Sequence, residues 1–386
     1  MLRKLVKSSL NYITSNNYLT LNYIELHSSK VLENVDYIKS INPGFSIMTV
    51  LKANAYGHGL LEVAKILNKS DVSFIAVDGY FEAAKVRDIS NHKILVMGYV
   101  KPENVKLIDI KKCSFVIQDI DGLKAISKIN KKVSIHIELN TGMNRLGLNR
   151  DELEEYLDYL DNNPKIELGG IMSHLADADN GNSDLFTQNQ VELFDSLVEK
   201  IMKRGFKPKY IHLAQTAGST KVKSRYANTI RLGIGLYGIN PLSYKDPSYK
   251  KLNKLQPILD FKSTIIKSVN LNKGDKVSYN GIFTANKSMR IGILPVGYYE
   301  GIPRELSDKG YITVGNKPYK IVGRVCMNHT MIDITDSELD VNSIVTIFSS
   351  NPELPNSINK ISSNFNLFSY TLVTGISSSV KRVTID

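Results

Sequence analysis

The sequence lacks the features of several specialised protein classes. It has no uninterrupted run of the roughly 18 apolar residues that a membrane-spanning helix needs, and its longest apolar runs, such as 289–296, have the length of a strand. It contains only two cysteines, Cys113 and Cys326, which are far apart and lack the spacing of metal ligands. We therefore expect no membrane segment, no disulfide framework and no metal site, and a reducing cytoplasmic location fits best.

The sequence also lacks concentrated charge of either sign. Lys and Arg number 49 against 38 Asp and Glu, a net charge of +11, but the excess is mostly lysine scattered in ones and twos. No arginine-rich stripe or zinc-finger spacing is present, which favours a solvated surface over a nucleic-acid interface. The first 24 residues contain no acidic residue, yet they lack the apolar core of a secretory signal.

What is present is an alternation of short β-branched runs with amphipathic stretches, from about residue 20 to residue 233. Each run is followed by a helix candidate or by a connector long enough to hold one, which favours parallel pairing. Eight such units in about 215 residues predict a closed (β/α)₈ barrel, an α/β fold, rather than an open sheet. The eight strand candidates are 21–25, 47–51, 74–77, 94–97, 115–117, 133–139, 166–172 and 210–213.

After Pro257 the pattern changes to closely spaced strand-like runs separated by turn residues such as Asn-Gly at 280–281 and Gly-Asn at 315–316. This pattern predicts a separate, mostly-β domain. We place the barrel domain at residues 1–254 and the β domain at 255–386, and the first ~15 residues could pack on the β domain.

Lys52 follows the apolar run 47–51 and opens the segment Lys-Ala-Asn-Ala-Tyr-Gly-His-Gly, residues 52–59. Desolvation at the end of an apolar strand favours the neutral amine that Schiff-base formation needs. Taken alone, Lys52 could equally be a lysine whose charged end reaches solvent at the barrel rim.

The segment as a whole closely resembles the lysine motif of alanine racemases, which use pyridoxal 5′-phosphate (PLP). The resemblance continues in the family's order over about 22–382 of the chain. It implies a PLP-binding barrel followed by a β domain, assembled as a head-to-tail homodimer in which both subunits build each active site. It also implies that Lys52 binds PLP covalently and acts as the base for the D-amino acid.

Three further residues of the barrel take roles from this resemblance. Arg145 lies directly after the strand 133–139, on a rim loop where active sites of barrels are found. By resemblance it contacts the cofactor's phenolic oxygen and the substrate carboxylate, which suits its planar charged group. Arg231 bonds the pyridine nitrogen of PLP and keeps it unprotonated, and His174 orients the second base. Without the resemblance, a surface arginine and a hydrogen-bonded core histidine would be the ordinary interpretations.

The resemblance assigns phosphate binding to Tyr56, Thr216 and backbone amides near Gly233 and Ile234, where small residues let N–H groups approach an anion. The glycines of this stretch could equally be packing positions.

In the β domain, the resemblance makes Tyr279 the base for the L-amino acid, placed across the dimer interface from Lys52. Two bases on opposite faces of a planar intermediate are what an inversion needs. A buried strand tyrosine is the alternative. The resemblance further implies that Met327 offers its backbone to the substrate carboxylate and that Tyr298 gates the entrance.

Four positions depart from the family's pattern. Glu138 stands where many members carry a carbamylated lysine, and its carboxylate could supply the same negative charge to hold Arg145. Thr216 follows a glutamine where Asn-Ser is usual, which keeps a hydroxyl. Asn328 replaces a typical aspartate, which removes one charge near the entrance. Ser378 stands where a tyrosine usually narrows the substrate pocket, so serine or a longer amino acid could be admitted.

These observations predict a PLP-dependent amino-acid racemase that interconverts L- and D-alanine by a two-base mechanism and supplies D-alanine for a bacterial cell wall. A racemase of the same family acting on serine, on lysine or on a broad range of amino acids is the alternative that Ser378 suggests. A non-catalytic PLP-homeostasis protein would normally lack the β domain and therefore Tyr279. A structural or nucleic-acid-binding module has only the net charge in its favour.

Overall fold

The computed structural model describes residues 19–129, 131–180 and 184–386. The strands are β1 (Tyr23–His27), β2 (Ser46–Val50), β3 (Phe74–Val77), β4 (Lys93–Val96), β5 (Cys113–Ile117), β6 (Val133–Glu138), β7 (Ile166–Met172), β8 (Tyr210–Gln215), β9 (Thr229–Leu232), β10 (Leu259–Thr264), β11 (Lys267–Leu271), β12 (Lys276–Val277), β13 (Phe283–Thr284), β14 (Met289–Leu294), β15 (Tyr311–Val314), β16 (Lys317–Lys320), β17 (Thr330–Asp333), β18 (Ile344–Phe348) and β19 (Lys381–Ile385). The right-handed helices are α1 (Ser28–Ile41), α2 (Leu60–Leu67), α3 (Tyr80–Arg87), α4 (Ile120–Ser127), α5 (Leu153–Asp161), α6 (Leu185–Lys203), α7 (Ile358–Phe365) and α8 (Ser369–Thr374).

Strands β2 to β9 form a closed parallel barrel in chain order, and β2 pairs with β9 to close it. Alternate side chains of these strands belong to two apolar clusters. One set, including Ile47, Ile75 and Ile135, packs with the surrounding helices, whereas the other, including Met48 and Phe74, forms a smaller cluster inside the barrel. This two-residue alternation between interior and helix layer is the packing expected of a barrel, and the predicted (β/α)₈ fold is confirmed.

The identity of the eight barrel strands differs from the prediction at both ends. The run 21–25, expected as the first barrel strand, forms β1, which lies between β10 and β19 in the sheet of the C-terminal half. The eighth barrel strand is β9, which the prediction omitted. Helix α1 therefore precedes the first barrel strand, and it buries Val31, Val35 and Ile38 along one face at a helical spacing.

The connections also differ in part from the prediction. The segment between β4 and β5 contains the 3₁₀ helix Pro102–Leu107, and the segment between β8 and β9 contains only the 3₁₀ turn Gly218–Thr220. Helix α1 packs against α2 and against the turn Ile234–Tyr237 after β9, and so covers the barrel where it closes.

The C-terminal half is mostly β, as predicted. A six-stranded sheet has the order β16-β15-β18-β10-β1-β19, a second sheet has the order β11-β14-β17, and β12 pairs with β13. Helices α7 and α8 follow β18. The domain boundary at residues 254–255 stays a prediction, and the packing predicted for the first ~15 residues lies outside the described residues.

Candidate active site

A cavity of about 630 Å³ opens at the C-terminal ends of the barrel strands, where active sites of this fold lie. It brings together every barrel residue for which the sequence predicted a role. These are Lys52, Tyr56, Glu138, Arg145, His174, Thr216, Arg231, Gly233 and Ile234. Three residues of the C-terminal half, Phe368, Tyr370 and Thr374, complete its wall.

Lys52 is held at the mouth of the barrel by an unusual backbone turn. Residues Ala53 to Tyr56 have φ between 50° and 55°, which is the left-handed region that non-glycine residues rarely enter. The turn is closed by hydrogen bonds from the Ala55 N–H to the Leu51 carbonyl (2.8 Å) and from the Gly57 N–H to the Ala53 carbonyl (3.0 Å). It reverses the chain within one turn directly after β2 and leaves Lys52 half-buried in the cavity wall.

Arg231 is the buried centre of the site. Its Nη1 donates to the His212 carbonyl (2.7 Å) and to His212 Nδ1 (3.0 Å). Its Nη2 donates to the carbonyls of Ser173 (2.7 Å) and Leu213 (3.1 Å) and to His174 Nδ1 (3.1 Å). A guanidinium has five N–H groups, so the Nε–H is the one that donates to no described residue. Burial lowers the pKa of Arg231 to about 10, which leaves it charged at neutral pH.

The two histidines bonded to Arg231 are neutral, and their tautomers follow from the network. Each accepts at Nδ1 from a guanidinium that can only donate, so each carries its hydrogen on Nε2. Burial, assisted by the charges of Arg231 and Arg145, lowers the pKa of His174 to about 3, and burial lowers that of His212 well below its usual value. His174 therefore offers an N–H donor, and it lines the cavity.

Glu138 ends β6 and is 5% exposed. Burial raises the pKa of its carboxyl group, and the charges of Arg231 and Arg145 and a hydrogen bond from Gln118 oppose that rise. Arg145 is exposed, and in the described part of the chain no Lys or Arg nitrogen lies within 4 Å of the Glu138 carboxylate. The hold of Glu138 on Arg145 is thus a longer-range attraction here and stays a prediction.

One end of the cavity suits a phosphate. Gly233 and Ile234 begin the 3₁₀ turn after β9, whose first N–H groups have no partner within the turn. A Cβ placed on Gly233 would lie 3.1 Å from the Tyr56 hydroxyl, so glycine keeps a cradle open between that hydroxyl and the turn. Burial raises the pKa of Tyr56 to about 12, which keeps its hydroxyl a donor. Thr216 lies alongside and accepts from the Gly235 N–H (3.2 Å).

These features fit PLP. The cradle supplies N–H and O–H donors for its phosphate, Arg231 has one N–H left for its ring nitrogen, and Lys52 lines the same cavity.

The β-domain residues predicted for the site lie elsewhere in the chain. Tyr279, Tyr298 and Met327 line a cleft of about 280 Å³ together with Arg304 and Arg324, and this cleft shares no lining residue with the barrel cavity. Their exposures are 68% for Tyr279, 41% for Tyr298 and 54% for Met327. Within one chain, the predicted bases therefore face two different cavities.

Two of the departures from the family's pattern have local explanations. The Asn328 amide donates to Glu300 Oε1 (2.7 Å), and Glu300 Oε2 accepts from the Gly297 N–H (2.8 Å). An aspartate at 328 would place a second carboxylate against Glu300. Ser378 is exposed and lines another cavity, with Asn54 and Arg382, rather than the barrel cavity.

Sequence reasoning missed His212, His136 and Tyr370. The two histidines interrupt the apolar strands β8 and β6 at inward-facing positions, and a polar residue inside an apolar run was the available signal. Tyr370 had no local sequence signal, because only the tertiary fold brings its helix, α8, next to the barrel.

Within residues 19–129, 131–180 and 184–386, no helix is long and apolar enough to cross a membrane. The same residues contain no group of three or more His, Cys, Asp or Glu side chains that could hold a metal ion.

Comparison with known proteins identifies the family. Residues 26–241 match the domain family "Alanine racemase, N-terminal domain" and residues 258–384 match "Alanine racemase, C-terminal domain". The alanine racemase of Lactobacillus acidophilus is 34% identical over 356 residues, which are 90% of this chain and 92% of that protein. The crystal structure of the Bacillus anthracis alanine racemase with bound L-Ala-P is 28% identical, has a TM-score of 0.85 and is matched over 96% of both chains.

A third match has the same fold. The alanine racemase of Bartonella henselae, whose crystal structure has covalently bound pyridoxal phosphate, is 21% identical with a TM-score of 0.81, over 95% of this chain and 100% of that one. Because both family domains match in order over most of the chain, the chain belongs to the alanine racemase family.

Proposed function

We propose that this protein interconverts L- and D-alanine with PLP as its cofactor, and that Lys52 and Tyr279 are the two bases. The observation that carries the proposal is the barrel cavity, in which Lys52, a phosphate cradle and the one N–H of buried Arg231 that donates to no described residue meet. The family match supplies the substrate.

Lys52, Tyr56, Thr216, Arg231 and the amides of Gly233 and Ile234 would hold PLP. When bound, PLP supplies the conjugated electron acceptor that stabilises the charge left at Cα after its proton is removed. Arg231 limits that stabilisation, because a guanidinium that donates its Nε–H to a ring nitrogen disfavours a second positive charge there.

The inversion at Cα needs one proton acceptor on each face of the substrate. On one face the Lys52 amine takes or returns the proton. On the other face the phenolic oxygen of Tyr279 does so, with the direction of the reaction deciding which residue gives and which receives. Arg145 and the backbone of Met327 would hold the substrate carboxylate, and Tyr298 would narrow the entrance.

Two copies of the chain are required by this assignment, because Tyr279 and Lys52 lie in different cavities of one chain. We propose a head-to-tail homodimer in which the β-domain cleft of one protomer covers the barrel cavity of its partner. The Nε2–H of His174 would then donate to the Tyr279 oxygen of the partner subunit and orient it as a base.

We propose that the amino acid acted on is alanine, because the relatives that match most of this chain are alanine racemases and Ser378 does not line the barrel cavity of its own chain. We further propose that the protein is cytoplasmic and that its product serves a bacterial cell wall.

The test compares Lys52→Ala with Tyr279→Phe in racemisation of L- and D-alanine, read by chiral separation. Lys52→Ala should lose covalently held PLP and all turnover. Tyr279→Phe should keep bound PLP and lose about 10²–10⁴-fold in rate, the contribution of one acid–base group. Full activity of Tyr279→Phe would contradict the two-base assignment.

A further inference from the structure

His136 lies two residues before Glu138 on β6. It is fully buried on β6, and its Nδ1 lies 2.8 Å from Nε2 of His212. Its own Nε2 is buried and has no hydrogen-bond partner among the residues that the structure describes. Phe74 packs against the ring in a T-shaped contact and Tyr210 packs parallel to it, with centroids at 5.6 and 6.1 Å.

The hydrogen atoms on the linked side chains of Arg231, His212 and His136 can be assigned one after another. Arg231 donates to His212 Nδ1, so the His212 hydrogen is on Nε2. That Nε2–H must donate to His136 Nδ1, which therefore holds no hydrogen. His136 is consequently the Nε2–H tautomer, and its N–H is the unpaired group. Burial also lowers the pKa of His136 to about 3, so the three linked side chains carry one positive charge, on Arg231.

The fold makes room for this histidine. A Cβ placed on Gly170 of the neighbouring strand β7 would lie 2.5 Å from His136 Nδ1. The site thus combines a polar ring that leaves an N–H unsatisfied with a glycine that accommodates it. An apolar residue of similar size would leave the Nε2–H of His212 as an unpaired buried group, so the histidine is what gives that N–H an acceptor.

We propose that His136 is a positioning residue for Arg231: by accepting from His212 it fixes the His212 ring, and the fixed ring holds Arg231 Nη1 so that only Nε–H is left for the cofactor. This inference rests on the proposed function in one respect. The proposed function identifies the PLP ring nitrogen as the group that accepts from the Arg231 Nε–H. If the His212 ring were not fixed, Arg231 would keep its bonds to the carbonyls of His212, Ser173 and Leu213 but lose the one to His212 Nδ1, and its Nη1 would be held less firmly.

The test pairs His136→Leu, which removes the acceptor, with His136→Asn, whose Oδ1 can replace Nδ1 as an acceptor. The PLP-loaded proteins are compared in absorption spectrum, in the dissociation constant for PLP, and in kcat and KM for L-alanine. We expect His136→Leu to bind PLP more weakly and to lose on the order of tenfold in kcat with little change in KM, because the carboxylate contacts are remote. His136→Asn should recover most of the loss.

A residue with a merely structural role would give a different pattern, since His136→Leu would then leave the PLP spectrum, the PLP affinity and the kcat of the folded protein unchanged. That result would overturn the proposal, as would an Asn variant as defective as the Leu variant. Side-chain ¹⁵N spectra of the wild type, which should show His212 with an accepting Nδ1 and a protonated Nε2, test the chain without any activity. If the wild type bound PLP but failed to racemise alanine, the proposed function would fail while these spectra and the PLP affinities still decided the role of His136.

Discussion

The phenol ring of Tyr370 lies 6.0 Å from that of Tyr56, and both line the barrel cavity. Tyr370 also stacks on Phe368, with ring centroids 4.8 Å apart. Burial raises the pKa of Tyr370, and the neighbouring Tyr56 adds to the effect, so its hydroxyl stays protonated. Tyr370 is therefore placed to narrow the cavity from the side of the C-terminal half, the task that the sequence assigned to the residue at 378.

This placement predicts where substrate size is controlled. Tyr370→Ala should raise kcat/KM for L-serine or L-lysine relative to L-alanine by about tenfold, because a few methylene volumes in a pocket discriminate by that order. Ser378→Ala, the matched control outside the cavity, should change the ratio by no more than about twofold. The ratios are measured by chiral separation. A larger change in the Ser378 variant than in the Tyr370 variant would contradict this account.

Single residues differ in how well the sequence revealed them. Each of the three residues Lys52, Arg145 and Arg231 belongs to a segment in which small and charged residues occur together, which made it recognisable. All three line the barrel cavity. His136 and His212 were not found, because a lone histidine in an apolar strand is usually an ordinary core residue. Ser378 was identified by its position along the chain, and chain position does not determine which of two adjacent cavities a side chain faces.

Among the elements, the left-handed turn at Ala53–Tyr56 has the highest backbone cost. Each non-glycine residue in this region costs roughly 1–2 kcal/mol, and several contacts offset that cost. Asn54 Oδ1 accepts from the Leu60 N–H (2.9 Å), and the Arg382 Nη2 donates to the Gly57 carbonyl (2.7 Å). His58 stacks on Tyr237 with centroids 4.4 Å apart.

Gly57 allows helix α8 to pack on this turn. Its φ is +81°, and a Cβ on it would lie 1.9 Å from the Val373 carbonyl oxygen. We expect Gly57→Ala to lower the free energy of unfolding by about 2–5 kcal/mol, from the left-handed φ and the overlap together, and to weaken PLP binding. Gly44→Ala is the control, because Gly44 has φ +85° and no atom within 4 Å of its Cβ position.

The control should cost only the backbone part, about 1–2 kcal/mol. Urea unfolding and PLP titration measure both variants. Equal losses in the two would show that contact with α8 contributes nothing.

Strand β1 is joined to the C-terminal half by a charged cluster. His27 Nε2 lies 3.0 Å from Asp260 Oδ2, and His27 Nδ1 lies 3.3 Å from Asp386 Oδ2. The hydrogen bond with Asp260 raises the pKa of His27 against the opposing effects of burial and Lys30. The pKa of Asp260 falls to about 2 through its bonds with His27 and Ser350, although burial opposes this.

Because the folded pKa of His27 is raised, its contribution to stability is complete below about pH 6.5 and is lost as pH rises through the folded value. The contribution of Asp260 is present above its ordinary pKa of 3.8 and is lost as pH falls through about 2. We expect His27→Gln to lose more stability at about pH 5.5 than at about pH 8.5, measured by urea unfolding at both. A loss independent of pH would contradict a charged His27.

The prediction placed the run 21–25 in the barrel and omitted β9, and this error has a physical reason. Strand β1 alternates half-buried and buried residues, which is typical of a sheet with one solvated face, whereas barrel strands such as β3 and β5 are buried throughout. Strand β9 contains the charged Arg231 and is followed directly by Gly233, so its pattern was not distinct from that of a loop.

For the whole molecule, the predicted architecture of barrel and β domain was recoverable because the hydrophobic rhythm changes between the two halves. The pairing of β1 with β10 and β19 could not be predicted, since contacts between residues far apart in the sequence leave no local sequence pattern.

The proposed dimer makes a quantitative prediction for mixtures. Lys52→Ala and Tyr279→Phe remove residues from different cavities, so a heterodimer of the two has one site with both residues intact and one with neither. Equal amounts, mixed under conditions that exchange subunits, should recover about a quarter of wild-type activity, since half of the dimers are mixed and half of their sites are intact. Racemisation before and after exchange is the measurement, and no recovery despite proven exchange would place both bases in one subunit.

The position of β1 also has a consequence for synthesis of the protein on the ribosome. β1 is among the first described segments to be made, yet its neighbours β10 and β19 are made late. At ordinary translation rates of about 5–20 residues per second, β1 waits on the order of tens of seconds for β19. The barrel strands β2 to β9 need no later segment to pair, so they can close while the nascent chain is still growing. The sheet that holds β1 between β10 and β19 is then completed after the barrel.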